Sequence, residues 1–348
     1  QDDKEGALKA LKTHDEKADT FGIGAVPYYI RLLESGETLP KIDTPKQQAA
    51  RALTDPSLLF FFRRRSVDGA EIYLRFARWI DPTYDKANIW LGDLLDNSDR
   101  EDEAYEITNQ IPVKSPYYVS AQLSAANYYF AREEDEQALN VLETLNASHP
   151  SFITRDALGR ARLIREDYAG ALPFYTDIIN SMSEEDLKEN IDPLRNRGII
   201  YESIDQWDLA EKDFKHVLEL VPDDVNTLNY LGYTWVDRGE NLTEAFEMIR
   251  KAVAAEPESG AIVDSLGWAH YKLGQYTQAK EKLEDAVELS PSSATIIDHL
   301  GDVYWKLGRK REAGFQWKRA LEFDPSDEEK TSINIKLKSG LEAALRAQ

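Results

Sequence analysis

Two polar pairs in the last third of the chain contain the residue types of a serine hydrolase. Asp264-Ser265 and Asp298-His299 occupy equivalent positions 34 residues apart, and a histidine held by an aspartate can take the proton of a serine hydroxyl. This chemistry also needs free backbone N–H groups to stabilise an oxyanion, and residues in the middle of helices offer none. The pattern leaves a hydrolase as an open hypothesis, in which Ser265 and His299 react, but it favours a protein without catalytic activity.

Other catalytic and metal-binding patterns are missing from the sequence. The chain has no cysteine, and none of its five histidines belongs to an HExxH pair. The acidic runs Glu133–Glu136 and Glu184–Asp186 lack the ligand order of a calcium loop and are typical of solvated turns. The basic run Arg63–Arg65 is interpreted as a helix end. We therefore expect no enzyme activity, no metal site and no cofactor.

Charge limits the partners further. Asp and Glu total 63 against 42 Lys and Arg, which gives a formal net charge of -21. Such a field repels nucleic acid and disfavours anionic membrane surfaces. No run of 18 apolar residues occurs that could span a bilayer. Other proteins or peptides, including basic ones, are the expected partners.

The candidate residues are placed by a repeat of about 34 residues. Leu231-Gly232-Tyr233 recurs as Leu266-Gly267-Trp268 and Leu300-Gly301-Asp302, at steps of 35 and 34. A second small residue follows each glycine after 12 or 13 positions. These second small residues form a series through most of the chain: Ala70, Ala104, Ala138, Ala171, Ala210, Ala245, Ala279 and Ala313.

Each repeat predicts two amphipathic helices, such as Val263–Leu273 and Tyr276–Leu289. Gly267 and Ala279 are small because the two helix axes must approach to roughly 8–10 Å. One pair cannot bury both of its apolar faces, and each exposed large apolar side chain forgoes about 1.5–3 kcal/mol. The pairs should therefore stack on their neighbours as a solenoid.

This spacing resembles the tetratricopeptide repeat (TPR) over residues 51–327. The resemblance implies an all-α, right-handed superhelical solenoid of about eight helix-turn-helix repeats. The predicted repeats are 51–84, 85–118, 119–151, 152–190, 191–224, 225–259, 260–293 and 294–327.

The two ends do not follow the repeat. Residues 1–50 are predicted to form an irregular helical cap, with helices over Lys4–Leu11 and Val26–Leu33 and a tight connection at Phe21–Ala25. Thr44-Pro45 and Asp55-Pro56 both have the pattern of an N-cap followed by proline at the first helical position.

Two further expectations concern the second half. The stretch from Asn180 to Asn190 is predicted to be a lengthened loop between repeats. Residues 328–348 are predicted to form one capping helix, with Ile333 and Leu337 toward the last repeat and Lys336 on the opposite side.

By the same resemblance, one stripe of each first helix lines the concave side of the solenoid. The stripe mixes aromatic residues with Asn and Asp, which suit a partner polypeptide: Asn can pair with backbone amides, aromatic rings supply contact area, and Asp attracts cationic side chains. The alternative interpretation is that Trp268, Tyr271 and Trp305 bridge adjacent repeats and are largely buried. The predicted groove residues are Asn226, Asn229, Tyr230, Tyr233, Asp264, Trp268, Tyr271, Asp298, His299, Asp302 and Trp305.

The longer phrases Leu228–Asp237, Ile262–Trp268 and Asp298–Trp305 resemble TPR proteins of the bacterial cell envelope. Some of those relatives look like lipoprotein adaptors that bring cell-wall hydrolases to a carboxyl-terminal processing protease. The resemblance implies such partners, and a periplasmic or outer-membrane-anchored location if an export signal was trimmed. A cytosolic TPR assembly scaffold without a role in proteolysis is the alternative.

Overall fold

The computed structural model describes residues 4–18, 25–36, 44–62 and 67–346. Within these ranges the chain consists of helices and their connections, and no β-strand is found there. The chain divides into two compact units, Gln1–Met182 and Ser183–Gln348. Residues 21–24 of the predicted Phe21–Ala25 connection and the Arg63–Arg65 run lie outside the described residues, and Ala25 begins α2. The predicted all-α class is confirmed.

Within its described residues, the first unit contains the two helices of the N-terminal segment and four helix pairs. Its helices are α1 Lys4–Ala18, α2 Ala25–Ser35, α3 Pro45–Phe62, α4 Val67–Ile80, α5 Asp85–Asp96, α6 Glu101–Thr108, α7 Tyr118–Ala131, α8 Asp135–Ser148, α9 Phe152–Ile164 and α10 Tyr168–Ser181.

The second unit opens with a short helix, continues with four helix pairs and ends with two further helices. They are α11 Glu184–Glu189, α12 Asp192–Ser203, α13 Trp207–Leu220, α14 Val225–Arg238, α15 Leu242–Ala255, α16 Gly260–Lys272, α17 Tyr276–Leu289, α18 Ala294–Lys306, α19 Lys310–Ala320, α20 Asp327–Ser339 and α21 Leu341–Ala344.

The helix pairs of the last repeats close over the small residues that recur in the sequence. A Cβ atom on Gly267 would lie only 2.7 Å from Cγ of Leu283, and one on Gly301 would lie 2.5 Å from the Trp317 ring. Ala279 is fully buried at the same crossing. The helices can therefore pack at this distance only because these positions carry almost no side chain.

Pro56 does not begin a helix, although the pattern Asp55-Pro56 predicted a helix start there. It lies inside α3, which runs without interruption from Pro45. Proline removes one intrahelical hydrogen bond and costs roughly 3 kcal/mol in a helix interior. Packing offsets this cost, because Ala50 and Thr54 of the same helix are fully buried. Thr44-Pro45, in contrast, does mark the start of α3.

The predicted loop between Asn180 and Asn190 contains a helix. The Ser183 side chain accepts a hydrogen bond from the backbone N–H of Asp186, and the Asp186 carboxylate accepts one from Ser183 N–H. This reciprocal cap starts α11, which Leu187 anchors by being almost fully buried. The acidic run Glu184–Asp186 is exposed to solvent, as expected, but it forms the first turn of a helix and not a loop.

The predicted C-terminal capping helix is divided in two at Gly340, whose φ of +85° only glycine adopts without strain. Ile333 of α20 and Leu341 of α21 are fully buried against the last repeat. Lys336 is also buried, with 5% of its surface exposed. It therefore does not lie on the solvent side as the sequence pattern suggested.

Candidate partner-binding groove

The predicted groove residues lie on three first helices of the second unit. Helix α16 packs against both α14 and α18, so one face of the three helices forms a continuous surface. Asn226, Asn229, Tyr230 and Tyr233 lie on α14, Asp264, Trp268 and Tyr271 on α16, and Asp298, His299, Asp302 and Trp305 on α18.

A pocket of about 480 Å³ opens on this surface, which we call the groove pocket. Helix α20 contributes Glu329 and Lys336 to its lining, and α21 contributes Ala344. Six predicted residues line it: Tyr233, Trp268, Tyr271, Asp298, His299 and Asp302.

The floor of the groove pocket is a stack of rings backed by a carboxylate. The His299 and Trp268 ring centroids are 4.0 Å apart, and Trp268 stacks in turn on Tyr271 at 4.6 Å. His299 Nδ1 lies 2.9 Å from Oδ1 of Asp264, and both side chains are buried. The pairs Asp264-Ser265 and Asp298-His299 therefore do lie close together, as expected. The contact between them is the hydrogen bond of His299 with Asp264, and Ser265 takes no part in it.

The pKa of His299 is raised above its ordinary value. Burial opposes this rise, and the carboxylate of Asp264 outweighs it through its charge and its hydrogen bond. Asp298 and Asp302 add to the effect. The protonated imidazole is therefore favoured in the folded chain, where it stacks on the electron-rich face of Trp268.

A second buried ion cluster lies beside the first. Nζ of Lys336 donates to Oδ2 of Asp298 at 2.6 Å and to Oδ2 of Asp302 at 2.9 Å. The other carboxylate oxygen of Asp302 accepts a hydrogen bond from the Trp317 indole at 2.9 Å. Oδ1 of Asp298 is buried without a hydrogen-bond partner.

Sharing one lysine leaves this cluster short of positive charge. Burial raises the pKa of Asp302 to about 6, and the charge of Asp298 adds to the rise. Burial alone would lower the pKa of Lys336, but the two carboxylates raise it. The lysine therefore stays charged while Asp302 resists ionisation.

Lys336 supplies one cation of the chain's own to Asp298 and Asp302, so part of their charge is already compensated. The sequence contained a signal for this contact. Lys336 follows the core residue Ile333 by three positions, which places both on one helical face.

The remaining predicted residues lie beside the groove pocket and not in its lining. Asn226 is exposed, whereas Oδ1 of Asn229 is buried without a hydrogen-bond partner. The Tyr230 hydroxyl donates to Glu202 at 3.1 Å. The Trp305 indole donates to Glu342 at 2.9 Å. Their role in holding a partner backbone stays a prediction.

Trp268 also bridges two repeats, as the alternative interpretation held for it. Trp268 of one repeat stacks on His299 of the next, and Tyr271 is 8% exposed. Trp268 nevertheless keeps part of its surface open to the pocket.

The geometry places Ser265 in its own helix and not with His299. The Ser265 hydroxyl is buried and donates to the carbonyl of Ala261 at 3.1 Å. This is a common backbone contact of serine inside helices. His299 Nδ1 is engaged by Asp264.

Two further properties bear on function. Among the described residues, no group of three or more His, Asp or Glu side chains is arranged to hold a metal ion. No helix in the described ranges combines the length and the apolar character needed to cross a membrane.

Comparison with known families finds TPR repeats at the groove. A model described as TPR repeat matches residues 267–308, and one described as tetratricopeptide repeat matches residues 294–327. A TPR repeat-containing protein of Pseudomonas aeruginosa is 38% identical over 87 residues, which is 25% of this chain and 15% of that protein. The match thus spans about one seventh of that relative. The chain contains tetratricopeptide repeats.

Two solved structures that are similar to the chain can be compared with it. The crystal structure of the APC/C hetero-tetramer Cut9-Hcn1 matches 91% of this chain and 60% of its own, with a TM-score of 0.57 at 18% identity. A fragment of MamA from Desulfovibrio magneticus matches 51% of this chain and 96% of its own, with a TM-score of 0.41 at 20% identity. The first likeness supports the solenoid of helix pairs.

Proposed function

We propose that this protein is a non-enzymatic adaptor that holds a segment of a partner protein in the groove of α14, α16 and α18. TPR repeats support an interaction scaffold in general. The observation that carries the specific proposal is the groove pocket, where Tyr233, Trp268 and Tyr271 line a cavity together with charged groups. Aromatic and charged side chains around a partly enclosed cavity are the composition of binding hot spots.

A peptide selection tests this proposal. The full chain is immobilised and exposed to a library of degenerate decapeptides, and bound peptides are counted by sequencing. We expect Trp268→Ala to reduce binding at least tenfold, because it removes the central ring of the stack. Phe315→Ala, at a 68% exposed aromatic on the outer helix α19, is the matched control. Equal binding by both variants and the parent would contradict the proposal.

The finer proposal is an envelope adaptor that delivers cell-wall hydrolases to a carboxyl-terminal processing protease. Its support is the resemblance of Leu228–Asp237, Ile262–Trp268 and Asp298–Trp305 to cell-envelope TPR proteins. Fractionation of the native host, followed by pull-down from the envelope fraction, tests it. Recovery of both protein classes in a Trp268-dependent manner is expected. A cytosolic location would instead favour the assembly scaffold.

A further inference from the structure

We propose that the groove pocket selects a cationic side chain, lysine or arginine, from the partner segment. This inference rests on the proposed function, in which the groove holds a polypeptide, and it names the chemistry that the pocket recognises. Three features of the pocket support it: the charge balance of its buried groups, an unpaired carboxylate oxygen and its aromatic walls.

The charges beneath the pocket do not balance. Three buried carboxylates, Asp264, Asp298 and Asp302, face one lysine and one histidine. With Asp302 ionised, as it is above its pKa of about 6, the cluster carries one surplus negative charge when His299 is protonated and two when His299 is neutral. Asp264 is held by His299, and Asp302 is hydrogen-bonded through both oxygens. The surplus thus falls on Asp298, whose Oδ1 has no donor.

The rim of the pocket adds to this surplus. Glu328 and Glu329 of α20 and Asp237 of α14 lie in the lining. Lys272 is the rim's cation, and its Nζ lies 3.0 Å from Oδ1 of Asp237. The pair of Lys272 and Asp237 is therefore neutral as a whole, and the charges of the two glutamates are left without a cation on the rim. A cation entering the pocket approaches carboxylates from both its rim and its floor.

The aromatic walls fit the rest of such a side chain. Lysine and arginine carry apolar stems that pack well along aromatic surface, while their charged ends reach polar groups. The pKa values of Tyr233 and Tyr271 also indicate a negative electrostatic potential in the pocket. Burial raises the pKa of both, and nearby carboxylates raise it further, Asp264 for Tyr233 and Asp302 for Tyr271. The same carboxylates would repel an anionic side chain.

Peptides that differ at one position test the inference. Starting from a peptide chosen by the library selection, the position that needs Trp268 is made Lys, Arg, Gln, norleucine or Glu. Affinities for the full chain are measured by fluorescence polarisation. We expect Lys and Arg to bind at least tenfold more tightly than Gln or norleucine, and Glu to bind weakest. The preference should shrink as salt is raised.

Asp298→Asn tests the source of the preference, because it keeps the shape and removes the surplus charge. We expect it to reduce the advantage of Lys over Gln several-fold, whereas Asp285→Asn, at an exposed aspartate on the outer helix α17, leaves it unchanged. The comparison of Lys with Gln uses the unaltered chain, so it holds even where Asp298→Asn fails to fold.

The outcomes separate the two proposals. Trp268-dependent binding without a preference for Lys or Arg overturns the cationic pocket and leaves the groove as a binding site. A preference that Asp298→Asn does not change, in a folded variant, also overturns it. If no library peptide depends on Trp268, the proposed function itself fails.

Discussion

The indole of Trp268 lies nearly parallel to the imidazole of His299, with ring centroids 4.0 Å apart and 16° between the planes. The two residues come from successive repeats, so the stack ties the first helices α16 and α18 together inside the groove. Asp264 binds the imidazole at 2.9 Å. One small cluster thus joins two repeats and forms part of the surface that a partner would contact.

His299 should make the stability of the chain depend on pH. Its folded pKa is raised, so protonated His299 stabilises the fold. The contribution is complete below pH of about 6.5, the ordinary histidine pKa, and is lost as the pH rises through the folded value. We expect His299→Gln to lower the thermal midpoint more at pH 5.5 than at pH 9, measured by calorimetry on the full chain.

His270→Gln is the control for that experiment. This half-buried imidazole pairs its Nδ1 with Gln275 at 2.7 Å, and its ring meets Phe246 in a T-shaped contact with centroids 5.0 Å apart. The groups that face His299 are Asp264 on α16, Asp298 and Asp302 on α18, and Glu329 on α20. If both glutamine variants show the same pH dependence, the ion pair with Asp264 is not its source.

Removing Lys336 should be costly. Lys336→Met leaves Asp298 and Asp302 buried without their shared cation, and breaking a buried pair in this way typically costs about 3–5 kcal/mol. The free energy of unfolding in urea, followed by tryptophan fluorescence, measures the loss. Lys338→Met, two residues along the same helix at an exposed position, is expected to cost less than about 0.5 kcal/mol.

The loss of stability caused by Lys336→Met should be smaller at acidic pH. The pKa of Asp302 is about 6 even beside the lysine, and it rises further without it. Below that pH one carboxylate becomes neutral, and the repulsion that the variant suffers is reduced. The cost of the substitution should therefore be smaller at pH 5 than at pH 8. An equal cost at both values would show that packing of the lysine stem, and not charge, accounts for the loss.

Two glycines of the last repeats should respond in opposite directions to alanine. A Cβ on Gly267 would meet Leu283 at 2.7 Å, so Gly267→Ala should cost about 1–3 kcal/mol by overpacking the helix crossing. A Cβ on Gly314, inside α19, meets nothing within 4 Å. Gly314→Ala should therefore raise stability by about 1 kcal/mol through helix propensity. Thermal midpoints of the two variants decide this, and loss at both positions would contradict the packing argument.

The repeat was predictable because its determinants are local. Gly267 and Ala279 mark the same helix crossing 12 residues apart, and the pattern recurs often enough to be recognised. The 34-residue period also predicts that the first helices α14, α16 and α18 present equivalent residues on one common face.

The role of Lys336 was harder to predict, because it depends on contacts between distant residues. Asp298 and Lys336 are separated by 38 positions, and their meeting depends on how α20 packs after the last repeat. The segment around Lys336 is polar, and this composition placed the lysine in solvent although its spacing from Ile333 puts both residues on one helical face. Pro56 was misassigned for a related reason, since burial of Thr54 and Ala50 outweighs a local helix-breaking signal.

One strained turn in the first unit gives a last prediction. Glu133, between α7 and α8, has a φ of +61°, where Gly274 and Gly308 stand in equivalent turns of the second unit. A residue with a Cβ atom is destabilised by roughly 1–2 kcal/mol in this left-handed conformation. Glycine avoids that cost, but part of the gain is offset because glycine loses more conformational entropy on folding. We expect Glu133→Gly to raise the free energy of unfolding by about 1 kcal/mol, measured by urea denaturation of the full chain. Gln137→Gly, exposed within α8, should lower it by a similar amount. Loss of stability in both variants would show that a side-chain contact of Glu133 outweighs the backbone strain.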